Sequence, residues 1–457
     1  MGGALFVSPL PAAETIKYAN RFGDERVETG GDMLDADTSL LREWVMPRLR
    51  SGQSIAAIAA ATGVSQSTLY RWKRQSTGVT TKLPAPPRSA RIRTAVVPAP
   101  PATTPVPPAA VPTEMPVQGY VGDVTGPGIT DQWGVTCADL GVSVVAPDGN
   151  LMSVFGDTFS GAIVGQGDWR SPVALIGSGD ANNQIQYEYA GGADPSYAQQ
   201  LWPYIHDSDP WNHGGISTII PSDVLVLGET MYLHAIVNRG FPNVIWTGIW
   251  TSTDNGVSWQ QMGPKATFPA SLHNGYAQLW SWDYDPDDGW VYIVSTGFQR
   301  DKGMILRRVR PGDIGDITKY SGWGWANNQW AWDNEPTPIT PPFETWGELT
   351  LRRLETGTWI LGGFLSSQYA LGYRTIDSPI ADLYVAEVQT PVVGTTWDAQ
   401  DLQNNLVAQL YGGYVLPGSQ LHVQGGVGLV VSQWDTATGW PYRAMQFKVT
   451  LNDTTGT

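Results

Sequence analysis

The stretch Thr136-Cys137-Ala138-Asp139-Leu140-Gly141, then Val142 to Val145, then Pro147-Asp148-Gly149-Asn150, then Leu151 to Phe155 and Gly156-Asp157-Thr158-Phe159 reads as one β-hairpin. Asp-Gly between two apolar runs is a tight-turn signal, because the glycine supplies the positive φ that the turn needs. Residues equally far from such a turn face each other across the ladder. Asp139 and Asp157 centre on residue 148, so they are expected within one residue of direct opposition, with Cβ atoms roughly 5 Å apart. Two carboxylates held that close disfavour each other's ionised form unless they are paired or used.

Working outward, further hairpins centre on Leu227-Gly228, Asp287-Asp288-Gly289 and Glu355-Thr356-Gly357. Strand-like runs fall into divergent groups near 134–185, 215–260, 275–330, 345–390 and 405–450. Repeated four-stranded groups around an axis predict a β-propeller, here with five blades. Ser252-Thr253-Asp254-Asn255-Gly256-Val257-Ser258-Trp259 matches the Asp-box pattern S-x-D-x-G-x-[TS]-W of sialidase-like propellers. In it the short polar side chains cap a turn and the Trp packs beneath. Asp254 is therefore read as structural.

The 457-residue chain divides into three segments. Residues 1–78 hold Ser54-Ile55-Ala56-Ala57-Ile58, Thr62-Gly63-Val64-Ser65 and Leu69-Tyr70-Arg71-Trp72, which predict helix, glycine turn, helix, with Ser65 as N-cap. Leu40, Leu41, Trp44, Val45 and Leu49 predict a preceding amphipathic helix. This small all-α unit resembles the helix-turn-helix domains of transposases and resolvases. DNA binding through Gln66, Ser67 and Arg71 and docking onto a protein are both open readings, with docking favoured. Residues 79–117 contain 11 prolines and predict an extended linker. Residues 118–457 form the mainly β domain.

Residues 118–457 carry 14 Lys/Arg against 33 Asp/Glu, while the whole chain is at −15. So acidic a domain disfavours nucleic acid or anionic lipid as its partner and suits a neutral polysaccharide. No run reaches the ~20 apolar residues of a membrane span, and no membrane partner is expected. The start lacks the basic and apolar regions of a secretory signal. The single cysteine, Cys137, excludes an internal disulfide and reads as a buried strand residue. His206, His213, His234, His273 and His422 show no HxH or HExxH spacing, so no metal or other cofactor is expected.

Paired carboxylates are the chemistry of glycoside hydrolysis, and Asp139 and Asp157 are the candidate pair. Trp169 is expected to stack on a sugar ring and Arg170 to hold one carboxylate ionised. A plain salt bridge between Asp157 and Arg170 is the competing reading. Glu348, in Trp346-Gly347-Glu348-Leu349, suits a third acid with its pKa raised by burial. A buried pair with Arg352 or Arg353 is the alternative. The run Asp283, Asp285, Asp287, Asp288 reads as solvated. Near-opposition of Asp139 and Asp157 favours a retaining geometry, whereas a Glu348 partner favours inversion.

Together Thr136–Leu140, Gly156–Phe159, Trp169-Arg170-Ser171, Ile216–Pro221, the Asp-box hairpin, Trp280-Ser281-Trp282-Asp283-Tyr284, Gly347-Glu348, Tyr411–Tyr414 and Val431–Trp434 resemble domain-of-unknown-function family 4185, regarded as endo-D-arabinofuranases. The resemblance implies a five-bladed propeller that hydrolyses D-arabinan of mycobacterial-type cell walls, with Asp139 and Asp157 catalytic and Glu348 as a third, more weakly matched catalytic acid. Trp169, Arg170, His213, Trp280, Trp282 and Tyr411 are then the expected substrate contacts. The front of the chain departs from a secreted member. It looks like an actinobacteriophage virion protein, docked on the particle by residues 1–78 and acting at the outer cell wall. A propeller that binds carbohydrate without cleaving it, a sialidase, and a DNA-binding regulator with a sensor propeller are the rival readings.

Overall fold

The computed structural model describes residues 117–207 and 214–454. The helix-turn-helix unit, the Pro-rich linker up to residue 116, and His213 lie outside the described residues.

Five antiparallel-type sheets form the five blades of a propeller. Blade 1 comprises Cys137–Val145, Leu151–Phe159, Val173–Ser178 and Gln186–Ala190. Blade 2 comprises Thr218–Leu227, Thr230–Asn238, Val244–Ser252 and the short Gln260–Gln261, with Thr267–Pro269 alongside. Blade 3 comprises Leu279–Asp285, Trp290–Thr296, Ile305–Val309, Ser321–Ala326 and Gln329–Trp332. Blade 4 comprises Trp346–Arg353, Trp359–Leu365, Ala370–Ile376, Gln389–Thr395 and Leu406–Ala408. Its last strand pairs in parallel. Blade 5 comprises Leu410–Val415, Val427–Trp434 and Tyr442–Val449, and its outer strand is Gly119–Asp123 from the start of the domain. That strand ties the two ends of the domain into one sheet, a closure that sequence reading did not foresee.

The first strand of each blade is innermost and packs beside the first strands of both neighbouring blades. Such strands are covered on both faces, so they read as apolar runs rather than alternating ones. Val142, Val224, Leu349, Leu351 and Val415 are all at most 2% exposed. The predicted turns fall where expected: Val145 pairs with Leu151 around Asp148-Gly149, and Leu227 pairs with Thr230.

The axis is tied across by polar side chains. Asp223, buried on the first strand of blade 2, accepts from Arg352 of blade 4 at Oδ1 (2.6 Å) and Oδ2 (2.8 Å). Ser281 of blade 3 donates to the same carboxylate and accepts from the amide of Leu351 (2.8 Å). Arg352 is therefore the partner of Asp223 and not of Glu348. Asp283 is not solvated as expected: it is half-buried below this clamp, and burial pushes its pKa up to about 6.

The Asp box lies at the end of the propeller away from Asp139. Asp254 accepts from the Ser258 amide (2.9 Å) and hydroxyl (2.6 Å), and Trp259 is buried beneath the turn. These bonds close a turn and leave no chemistry to Asp254.

Candidate active site

Three carboxylates meet at one end of the axis, where the innermost strands begin. Asp139 sits in a bulge: Ala138 pairs with Thr158, but Leu140 pairs with Phe155, so Asp139 faces the Gly156-Asp157 step. Leu140 has φ 65° and Gly141 φ 94°. A branched residue in that left-handed region is strained by about 1–3 kcal/mol. The Leu140 amide is held by Ser432 Oγ of blade 5 at 2.9 Å. Bulges beside functional residues re-aim side chains, and this one turns Asp139 into the axis.

Asp139 Oδ2 accepts from the Tyr411 hydroxyl at 3.0 Å. Its Oδ1 is out of solvent and makes no hydrogen bond of ordinary geometry, although the Tyr442 hydroxyl also acts on this carboxyl. Burial, then the charge of Asp157, push its pKa up to about 7, against the pull of the Tyr442 and Tyr411 hydroxyls; the more distant charge of Glu348 adds to the rise. The carboxyl lies directly over Gly156, where an added Cβ would stand 2.4 Å from Oδ1.

Asp157 accepts two bonds, both on Oδ1: from Trp169 Nε1 (2.9 Å) and from Thr218 Oγ1 of blade 2 (2.6 Å). Burial raises its pKa, and these two donors and His206 counter the rise.

Glu348 is buried, at φ 29° in a second bulge between Gly347 and Leu349. Gly363 makes room for that bulge: a Cβ there would lie 2.3 Å from the Glu348 carbonyl oxygen. Arg300, from the loop linking the second and third strands of blade 3, donates to Glu348 Oε1 through Nε (3.0 Å) and Nη2. The Arg300 guanidinium also sits 5.2 Å from the ring centres of Phe364 and Tyr411. Glu348 Oε2 is a second buried oxygen without a protein donor. Orphaned buried acceptors of this kind fit a proton or a ligand hydroxyl better than dry burial.

Several expected roles change. Arg170 does not reach Asp157: it donates to the carbonyls of Ala198 and Gly134 and lies 3.5 Å from Asp168. Trp169 is stacked on His206 (4.0 Å) and Phe159 (5.9 Å). The half-buried indole donates from Nε1 to Asp157. Trp280 and Trp282 are at most 1% exposed, packed with His234 and Phe268 between blades 2 and 3. They are core residues and cannot touch a polysaccharide. Tyr411 stays at the site, through its hydroxyl.

Thr218, Arg300, Tyr442 and His206 were missed. His206 Nδ1 is 2.9 Å from the Ser217 carbonyl and Nε2 is 2.9 Å from Gln200 Oε1. The Gln200 amide is in turn oriented by the carbonyls of Trp202 and Tyr204, each at 3.0 Å. Burial lowers the His206 pKa. Only Thr218, opening an apolar run, carries a sequence signal; Arg300 and His206 lie on loops whose folding back no local pattern announces.

The family model for a domain of unknown function, DUF4185, matches residues 125–448, and a homeodomain-like helix-turn-helix model matches residues 40–80. A 35.9 kDa protein of Mycolicibacterium smegmatis is 30% identical over 336 residues, covering 70% of this chain and 94% of its own. Notoamide biosynthesis cluster protein J' of Aspergillus versicolor is 29% identical, over 71% of this chain and 88% of its own. Among solved structures, the arabinanase Arb43A of Bacillus subtilis is 13% identical with a TM-score of 0.41, covering 68% of this chain and 94% of its own. With the match running from the last turn before blade 1 into the final strand of blade 5, the acid-bearing propeller belongs to the DUF4185 family.

Proposed function

We propose that residues 118–457 are an endo-acting glycoside hydrolase whose substrate is D-arabinan of mycobacterial-type arabinogalactan and lipoarabinomannan. The observation that carries this reading is the Asp139–Asp157 pair at the end of the axis where the innermost strands begin. Asp139, with its pKa near 7 and an orphaned Oδ1, is suited to carry a proton at neutral pH. It gives that proton to the glycosidic oxygen as the bond to the anomeric carbon breaks and its electron pair passes to that oxygen. Asp157, with Oδ1 fixed by Trp169 and Thr218, is suited to act through Oδ2. It either attacks the anomeric carbon or takes the proton of an attacking water. Glu348 Oε2, without a protein donor, is suited to accept from a substrate hydroxyl.

The motif resemblance supports D-arabinan as the substrate, and the acidic domain suits a neutral polymer. On the same reading the chain is carried on a phage particle through residues 1–78 and acts on the outer cell wall. Immunoblotting of purified particles tests that placement, and absence from them rejects it. The enzyme itself is tested by incubating the full chain with purified mycobacterial arabinogalactan and sizing the products. Oligomers of several arabinose units are the expected result. Binding without any release would leave a carbohydrate-binding propeller instead.

A further inference from the structure

Among the described residues, six aromatic side chains are more than a third exposed: Phe241, Trp325, Phe343, Tyr369, Tyr384 and Trp397. Strand direction places each at one end of the propeller. Innermost strands start at the end that holds the acids, so second strands finish there, third strands start there and fourth strands finish there. Phe241 follows the second strand of blade 2, Tyr369 the second strand of blade 4, and Trp397 the fourth strand of blade 4. Trp325 lies at the end of the fourth strand of blade 3, and Phe343 leads into the first strand of blade 4. Five of the six are therefore on the acid end. Tyr384, between the third and fourth strands of blade 4, is alone at the other.

The best-formed part is the outer hairpin of blade 3. Trp325 lies directly opposite Trp330, and Trp323 opposite Trp332, so all four rings share one face. On the opposite face Gly324 pairs with Ala331, and Gly324 is packed so closely that a Cβ would stand 2.0 Å from the Glu335 carbonyl oxygen. The inner end is anchored: Arg308 lies 4.0 Å over Trp332, and Trp332 packs on Tyr292. At the outer end the backbone is held, the Trp325 amide donating to Thr337 Oγ1 at 3.0 Å, but the Trp325 side chain is 51% exposed, next to the exposed turn residues Asn327, Asn328 and Gln329. The exposed Trp325 indole, with the half-exposed Trp330 beside it and amide side chains at the turn, matches the apolar C–H faces and hydroxyls of neutral sugars.

We propose that this end of the propeller carries an aromatic track, centred on Trp325 and Trp330, which binds the same neutral polysaccharide away from the bond that is cleaved. The proposal rests on the glycan reading of the acid site. Three strand spacings of about 4.8 Å separate this hairpin from the innermost strand, roughly 15 Å. The track therefore holds the polymer beyond the sugars at the acids.

Affinity electrophoresis tests it. Full-length protein bearing Asp139→Asn is run through gels containing soluble mycobacterial D-arabinan, beside the same protein with Trp325→Ala, Trp325→Phe or Tyr384→Ala added. The expected result is retardation of the parent that falls several-fold with Trp325→Ala and persists with Trp325→Phe and Tyr384→Ala. Retardation unchanged by Trp325→Ala, lost equally with Tyr384→Ala, or absent in the parent overturns the track. Release of oligomers by the wild-type chain is scored separately, so failure of the track and failure of the hydrolase are told apart.

Discussion

The Tyr411 hydroxyl, at the start of blade 5, donates to Oδ2 of Asp139, at the start of blade 1, across 3.0 Å. The bond links the two blades where the propeller closes, and it stabilises the carboxylate form of an acid that burial pushes the other way. Tyr411→Phe removes that stabilisation. The Asp139 pKa should then rise, moving the alkaline limb of the pH–rate profile to higher pH. A limb that stays in place or moves down would show that another group sets it.

Asp139 also makes stability depend on pH. Its folded pKa of about 7 lies above the ordinary carboxyl value of 3.8, so the folded state holds this proton more tightly than the unfolded one. Its contribution is most favourable below about pH 4 and declines as pH rises towards 7. Asp139→Asn should therefore raise stability at pH 8, by on the order of 2–4 kcal/mol, and change little at pH 4. Denaturant melts at the two pH values measure this. Equal effects at both would remove the strained ionisation from the account.

Arg300 and Glu348 form a pair whose removal is asymmetric. Glu348 is buried and Arg300 is the charge facing it. Arg300→Met leaves an uncompensated carboxylate and should destabilise by about 3 kcal/mol. Adding Glu348→Gln should recover most of that loss, because the orphaned charge goes with it. Thermal melts of the single and double variants decide the point, and no recovery would mean that Arg300 acts through packing on Tyr411 and Phe364.

Gly156→Ala puts a methyl only 2.4 Å from Oδ1 of Asp139. The carboxyl must move, at roughly 1–3 kcal/mol of strain. Activity should fall at least tenfold while the variant still folds cooperatively, as read by circular dichroism and product release. Full activity would show that Asp139 need not sit where it does.

The hairpins, the blade count and the convergence of Asp139 with Asp157 were legible because turn chemistry and period-2 patterning are local. What failed was phase. Trp280-Ser281-Trp282 alternates as a strand, but Ser281 faces the axis, where it bonds Asp223, and both indoles face the blade interface. The pattern fixes the alternation and not which set points inward. The bulge at Asp139 likewise shifts the register, and only the full ring of strands shows that the displaced side chain points at Tyr411 and not at solvent. Arg170 was misassigned for a related reason: closeness in sequence to Asp157 says nothing about the Ala198 and Gly134 carbonyls that hold it.

The most direct test compares wild type, Asp139→Asn and Asp157→Asn, all full length, for release of arabinose oligomers from purified mycobacterial arabinogalactan. Binding of the same polymer is followed in parallel. The account predicts oligomers from wild type, at least a thousandfold less from either variant, an order of effect in keeping with loss of a catalytic acid or base, and polymer binding retained by all three. Oligomers released at wild-type rates by both variants, or by none of the three proteins, would contradict it.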